Sequence, residues 1–323
     1  MKKIIAIIAG EPNSISSEII FKSFKLKNKF NHLPFVIIGN IQLLNKQKKK
    51  LKYNLKLKEI NDDFIKKDLI GNKLPVINVD YYQKKIFQPI TDVSNKYIFK
   101  CFDKAISLIK KKRIFGIINC PISKENLLKN KYNGITEYLK KKTNIKNEVV
   151  MLIYNSDLSV SPITTHIPLS DVSKNLNKLS IINKVKIINN FYYTKFKKKP
   201  NIGILGLNPH NYSKKKIPEE KKLIRPAIKT LKQRNIRVIG PISTDTSFLS
   251  RKKLNLDVIV GMYHDQVLAP FKSIYGYNSI NITLGLPFIR VSPDHGVAND
   301  IVGMNKANPL SLIKSIKFFN LFK

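Results

Sequence analysis

Short apolar runs alternate with longer stretches whose apolar residues recur at helical spacing, and this alternation constrains the fold more than any other feature. Residues 4–9, 35–38, 115–118, 149–154, 202–207, 238–239, 258–262 and 280–284 read as strands. Residues 18–30, 96–111, 169–191 and 219–233 read as helices. In 96–111 the stripe is Ile98, Phe102, Ala105, Ile106 and Ile109; Ser170 or Asp171 would cap 169–191. Another helix is expected to start at 124–130, after the Pro121 turn, whereas the Lys-rich stretch 47–58 reads as a surface segment. Strands alternating with helices predict an α/β fold with parallel segments. A chain of 323 residues accommodates two domains. The expected division is residues 1–130 with about 300–323 returning, and 131–299 as the second domain.

The charge narrows the function classes. Lys and Arg total 59 against 21 Asp and Glu, a formal net charge of +38, yet only six of the basic residues are Arg. A nucleic-acid reader concentrates its cations on one face and uses Arg at base edges. Here Lys is spread along the whole chain, so compositional drift onto solvated positions is preferred and no specific nucleic-acid partner is expected. The charge still favours anionic metabolites, in a salt-dependent way. Two cysteines, Cys101 and Cys120, make neither a disulfide framework nor a Cys-based zinc cluster, which fits a reducing, cytoplasmic setting. No run approaches the roughly 18 apolar residues of a membrane span. The apolar run at the N-terminus is too short for a signal peptide and reads as a buried strand.

The common phosphate and dinucleotide loops are missing: there is no G-x-G-x-x-G and no G-x-x-x-x-G-K-[ST]. Three of five histidines occupy equivalent places, each after an extended run. They are His166 in Ile163-Thr164-Thr165-His166, His210 in Asn208-Pro209-His210 and His264 in Met262-Tyr263-His264. In α/β sheets ligands gather outside the carboxyl ends of strands. Three imidazoles converging there suit a divalent cation with positions open for substrate. Spacings of 44 and 54 residues make that a matter of tertiary convergence; separately satisfied histidines are the alternative. Lys272, Asn281 and Arg290 follow the third histidine and together suit a carboxylate or phosphate. Arg290 is the most telling of them, because this chain seldom uses Arg and here it closes an apolar run. Asp294-His295-Gly296 is either a plain turn or functional. Cys120 reads as a small buried hydrophobe rather than a nucleophile.

Four blocks occur in order: Thr164-Thr165-His166-Ile167-Pro168-Leu169, Gly206-Leu207-Asn208-Pro209-His210, Met262-Tyr263-His264-Asp265-Gln266 and residues 281–296. Weaker echoes are Gly10-Glu11-Pro12, Pro121-Ile122-Ser123-Lys124-Glu125, Gly134-Ile135-Thr136-Glu137 and residues 240–246. The set resembles, nearly end to end, the 4-hydroxythreonine-4-phosphate dehydrogenase family of pyridoxal phosphate biosynthesis. The resemblance implies a two-domain α/β fold similar to isocitrate and isopropylmalate dehydrogenases. Mixed sheets with flanking helices and an interdomain active-site cleft belong to that expectation. So does a homodimer whose site is shared between subunits. By motif match, His166, His210 and His264 would ligate a divalent metal (Zn, Mg or Co), one of them from across the dimer. Thr136, Lys272, Asn281 and Arg290 would contact substrate.

The implied reaction is oxidation of 4-phosphooxy-L-threonine by NAD, or by NADP, followed by decarboxylation to 3-amino-2-oxopropyl phosphate. Its general base stays open among Asp245, Asp265 and Asp294, any of which is alternatively a partner of a ligand histidine. Three departures bear on this. Ile135 stands where the family has His before Thr136. The glycines after Gly10-Glu11-Pro12 are replaced by Asn13-Ser14-Ile15-Ser16-Ser17, and those after His210 by 211–216, where Lys214–Lys216 would compensate by charge. The metal ligands are therefore expected to be retained while phosphate and cofactor contacts differ. Two rival readings are a paralogous dehydrogenase of another phosphorylated hydroxy acid, such as a four-carbon aldonate 4-phosphate, and a non-catalytic basic relative.

Overall fold

The computed structural model describes residues 3–123, 127, 135–145, 148–214 and 217–322. The chain divides into two compact units, Met1–Lys131 with Phe288–Lys323 (unit 1) and Tyr132–Pro287 (unit 2). In chain order the strands are β1 Ile5–Ile8, β2 Phe35–Gly39, β3 Lys56–Glu59, β4 Lys73–Asn78, β5 Gly116–Asn119 and β6 Val150–Tyr154. Then come β7 Ser159–Pro162, β8 Ile202–Leu205, β9 Val238–Ile242, β10 Val258–Gly261, β11 Ile280–Leu284 and β12 Ile289–Pro293.

Unit 1 orders its strands β3-β4-β2-β1-β5-β12, all parallel. The apolar run Ile5-Ala6-Ile7-Ile8 lies inside this sheet and is at most 1 % exposed, as a parallel strand covered on both faces requires. The return to unit 1 was expected near residue 300 but begins at Phe288, because β12 pairs with β5 and so belongs to this sheet. The C-terminal segment is held by buried Glu18, whose Oε1 accepts from Lys22 Nζ (2.8 Å) and from the Ala307 backbone N–H (2.6 Å).

Unit 2 orders its strands β11-β6-β7-β10-β8-β9. Here β6 runs antiparallel to both β11 and β7, while β7, β10, β8 and β9 are parallel. Its core gathers Phe271 with Ile153, Leu158, Val160, Leu205 and Ile259. Among the described residues no helix is long and apolar enough to cross a membrane.

Several expected elements differ. The stretch 47–58 lies largely at the surface, as expected, but it is regular: it ends the helix Ile41–Lys50 and supplies β3. Among the described residues β3 pairs only with β4, and its lysine-rich, half-exposed face is how an edge strand resists pairing with another chain. The expected helix 169–191 breaks at Leu176. There Asn177 caps a second helix, Lys178–Phe196, by accepting from the Ser180 N–H at 2.8 Å. The helix expected over 219–233 begins as a π-helical turn, Glu220–Ile224, before Arg225–Gln233. Apart from Leu127, the helix expected at 124–130 lies outside the described residues. Cys120 is fully buried, which pushes its thiol pKa up and suits a packing role.

Gly10 follows β1 at φ +76°, where a Cβ would lie 2.5 Å from the Pro121 carbonyl oxygen. Gly10→Ala is expected to lower stability by about 2 kcal/mol through backbone strain alone. A urea denaturation series checks this; an unchanged midpoint would refute it.

Candidate active site

All three expected ligand histidines lie in unit 2. They follow the carboxyl ends of the parallel neighbours β7, β10 and β8. Beyond the strands the β7 and β10 extensions stay joined. Ile163 N donates to Gly261 O (2.8 Å), and both the backbone N–H and the Oγ1 of Thr164 donate to Met262 O (3.1 and 2.7 Å). This places the His166 and His264 rings with centroids 5.6 Å apart.

His264 opens the helix His264–Tyr275, and its Nδ1 lies 2.7 Å from Asp265 Oδ1. A carboxylate on Nδ1 fixes the tautomer with the proton there and leaves Nε2 as a lone-pair donor. His210 sits on the short turn Pro209–Asn211 with φ +52°, its ring 78 % exposed and its Nδ1 3.6 Å from Asp245 Oδ2. The Ser243 hydroxyl, aided less strongly by the His210 ring, holds the Asp245 carboxyl below the usual range against the opposing effect of desolvation, which makes it a weak base. Asp245 and Asp265 therefore each face a histidine, whereas Asp294 lies in unit 1, its backbone N–H donating to Ser311 Oγ at 2.9 Å.

The structure brings His166 and His264 together but does not complete the set with His210. Among the described residues no group of three His, Cys, Asp or Glu side chains could hold a metal ion. The donors still fit a divalent cation in kind, being two adjacent imidazoles with one Nδ1 on a carboxylate.

The turn carrying His210 is clamped from below. Buried Glu220 accepts the backbone N–H groups of Leu207 and Asn208 through Oε1, each at 2.8 Å, and Asn208 Nδ2 through Oε2 at 3.0 Å. Burial acts to raise the Glu220 pKa, but these bonds prevail and hold it below the usual range.

Of the expected substrate contacts, Thr136 on the helix Ile135–Lys142 has its Oγ1 3.4 Å from Thr283 Oγ1 on β11. Asn281 is two residues from Thr283 on that strand, hence on the same face, and its Oδ1 is buried without a partner among the described residues. Lys272 is two turns along the helix from His264, with its Nζ 5.4 Å from the Tyr277 ring centroid. Arg290 lies in unit 1 on β12, 4 % exposed, and its Nε donates to Asn119 Oδ1 at 2.7 Å. Ile135 is buried, 4 % exposed.

Unit 1 also holds a cavity of about 400 Å³ lined by Asn13, Gln88, Pro89, Ile90, Asn299 and Val302. Beside it the glycine-poor turn after Gly10 is closed by serines, since Ser14 Oγ donates to Glu11 O (2.6 Å) and Ser16 Oγ to Pro121 O (3.2 Å). Burial raises the pKa of Glu11, opposed by bonds from Asn13 and Ser94. In the other glycine-poor turn, Lys215 and Lys216 lie outside the described residues. Sequence reasoning missed Asn119 and Glu220; the one available signal for Glu220 was an acidic pair, Glu219-Glu220, in a lysine-rich stretch.

The family model for pyridoxal phosphate biosynthetic protein PdxA matches residues 31–319. A 4-hydroxythreonine-4-phosphate dehydrogenase from Sulfurihydrogenibium sp. (strain YO3AOP1) is 38 % identical over 99 % of this chain and 98 % of its own length. A D-threonate 4-phosphate dehydrogenase from Pectobacterium atrosepticum is 31 % identical, covering 98 % of each. The crystal structure of a 4-hydroxythreonine-4-phosphate dehydrogenase from Klebsiella pneumoniae superposes with a TM-score of 0.84 at 29 % identity, covering 99 % of this chain and 100 % of that one. The fold is of the α/β type expected from the sequence, and a β-decarboxylating dehydrogenase from Thermococcus kodakarensis shares it with a TM-score of 0.52 at 11 % identity, covering 99 % of this chain and 83 % of that one. With the family model spanning most of its length and full-length relatives on either side of it, this chain belongs to the PdxA family of pyridoxal phosphate biosynthetic proteins.

Proposed function

We propose that this protein is an oxidoreductase that oxidises 4-phosphooxy-L-threonine with a nicotinamide cofactor, NAD or NADP. The β-keto acid so formed loses CO2 to give 3-amino-2-oxopropyl phosphate, in pyridoxal phosphate biosynthesis. The observation that carries this reading is the His166–His264 ring pair at the carboxyl ends of adjacent parallel strands, in a chain of this family.

His166 and His264 would hold a divalent metal (Zn, Mg or Co) together with His210, whether from the same chain or from a second copy. Such an ion supplies Lewis acidity toward the substrate hydroxyl and the carbonyl it becomes, while the cofactor supplies the hydride acceptor. Asp265 keeps the His264 proton on Nδ1, so the ring donates a lone pair without adding negative charge. Thr136 and Asn281 present a hydroxyl and an amide oxygen on one face of β11, where a substrate ammonium or hydroxyl would satisfy the buried Asn281 Oδ1. Lys272 and Arg290 would hold the anionic groups, with Asn119 fixing the orientation of the Arg290 guanidinium. The unit 1 cavity, with three carboxamides and apolar walls, suits an aromatic ring that carries its own hydrogen-bonding edge, such as those of a nicotinamide dinucleotide. A homodimer and a cytoplasmic location complete the reading, and the buried free thiols Cys101 and Cys120 fit the latter.

The deciding experiment follows NADH formation from 4-phosphooxy-L-threonine with Zn²⁺ or Mg²⁺ and again with chelator, with D-threonate 4-phosphate as a second substrate. Metal-dependent NADH from the amino acid, in clear excess over the aldonate, is expected. Preference for the aldonate would overturn the substrate assignment and make buried Ile135 its first suspect. A folded protein inactive on both would overturn the dehydrogenase reading.

A further inference from the structure

We infer that Gln266, a buried side chain outside the set of expected ligands, is a positioning residue that holds the His264 turn in register with the segments carrying His210 and Asp245. The inference rests on the proposed three-histidine metal site and adds a residue to what sets its geometry.

Gln266 is 5 % exposed and lies in the first turn of the helix that His264 opens. Its Oε1 accepts the Met262 backbone N–H at 2.6 Å, pinning the turn between β10 and His264. Its Nε2 donates to Gly206 O at 2.7 Å, where β8 gives way to the His210 turn, and to Thr244 Oγ1 at 2.9 Å, next to Asp245. The carbonyl of the same Met262 takes both Thr164 donors, so one residue is tied on one side to the His166 segment and on the other to Gln266. Three strand ends are thus fastened through a single primary amide.

Only an amide makes this set. The group meets an N–H donor at one end and two oxygen acceptors at the other, which a carboxylate or an apolar isostere does not match. A Cβ at Gly261 would lie 2.6 Å from Val267 Cγ1 and 2.8 Å from Gln266 Oε1, so the glycine leaves room for both side chains. Gln266 never touches the ion in this scheme. It acts by limiting where the His264 and His210 rings can go, as supporting groups of metal ligands do.

The test titrates purified apo-protein with Co²⁺ and reads its visible absorption, alongside the melting temperature of each metal-free variant. Gln266→Leu is expected to weaken Co²⁺ binding by about 10- to 100-fold and to shift the absorption bands, since the ligand geometry loosens. A purely structural role would lower the melting temperature but leave affinity and spectrum of the folded protein unchanged, and that result would overturn the proposal. Should Gln266→Leu not fold, Thr244→Val removes one of the two Nε2 acceptors. It is expected to weaken binding a few-fold, and wild-type affinity and spectrum there would overturn the proposal equally. Wild-type protein that fails to take up Co²⁺ would instead bring down the metal site itself, and this inference with it.

Discussion

His264→Ala is expected to lower kcat/KM for 4-phosphooxy-L-threonine by about 10³-fold or more and to abolish Co²⁺ binding, while leaving the apo-protein folded. Two magnitudes support this separation. Loss of the ring would remove a direct donor from the proposed metal site, where a Lewis acid would contribute several kcal/mol to the chemical step, and each 1.36 kcal/mol or so is a factor of ten in rate. The packing lost is small by comparison, because the His264 side chain is 32 % exposed at the start of a helix and its close polar partner is the equally local Asp265. Asp265→Asn leaves the ring in place and disturbs only its tautomer, so a smaller loss of about 10-fold is expected. Steady-state NADH formation and Co²⁺ titration of the same preparations check both. Wild-type Co²⁺ affinity in His264→Ala would remove His264 from the ligand set. His210→Ala belongs in the same series, because its exposed ring lies against Asp245.

What could be read in advance divides by the range of the interaction involved. β1 was legible because a strand covered on both faces is apolar at every position, as Ile5 to Ile8 are. β3 was not, because an edge strand of lysines carries the same local signal as a solvated loop, and only pairing with Lys73–Asn78 makes it a strand. The break at Leu176 was missed for a related reason: the apolar stripe continues across it, and the cap at Asn177 is one hydrogen bond. Within the site, the histidines stood out because each follows a strand, while the meeting of His166 with His264 depends on β7 and β10 being neighbours. Arg290 was legible as a rare residue in an apolar setting, and burial at β12 accounts for it. Asn119 and Gln266 were not, because each acts on atoms distant in sequence: Gln266 reaches 60 residues back to a backbone carbonyl, and Asn119 meets a guanidinium 171 residues on. No local pattern encodes such partners.

Arg290 is where the second large effect is expected. Its Nε is committed to Asn119 Oδ1 at the end of β5, so the direction of the guanidinium is set by the β5–β12 pairing rather than by a flexible stem. A fixed fork recognises a carboxylate or phosphate through paired, charge-assisted bonds, and truncating one side of such a pair costs about 2–5 kcal/mol. Arg290→Met keeps the length and removes the charge. A fall of about 10²- to 10³-fold in kcat/KM for the phosphorylated substrate follows, with KM for the dinucleotide unchanged. Arg290→Lys restores the charge without the fork and is expected to recover only part of the loss. Asn119→Ala leaves the guanidinium chemically intact but releases its Nε, so a loss of about 10-fold confined to the phosphorylated substrate is expected. Because Arg290 is buried, each variant is compared at a temperature below its own melting point. If Arg290→Met raised KM for both substrates together, or lost stability with no change in kinetics, the residue would be a support of the unit 1 sheet and its recognition role would fall. A selective loss that Arg290→Lys and Asn119→Ala share in part would instead tie recognition to the orientation of the guanidinium as well as to its charge.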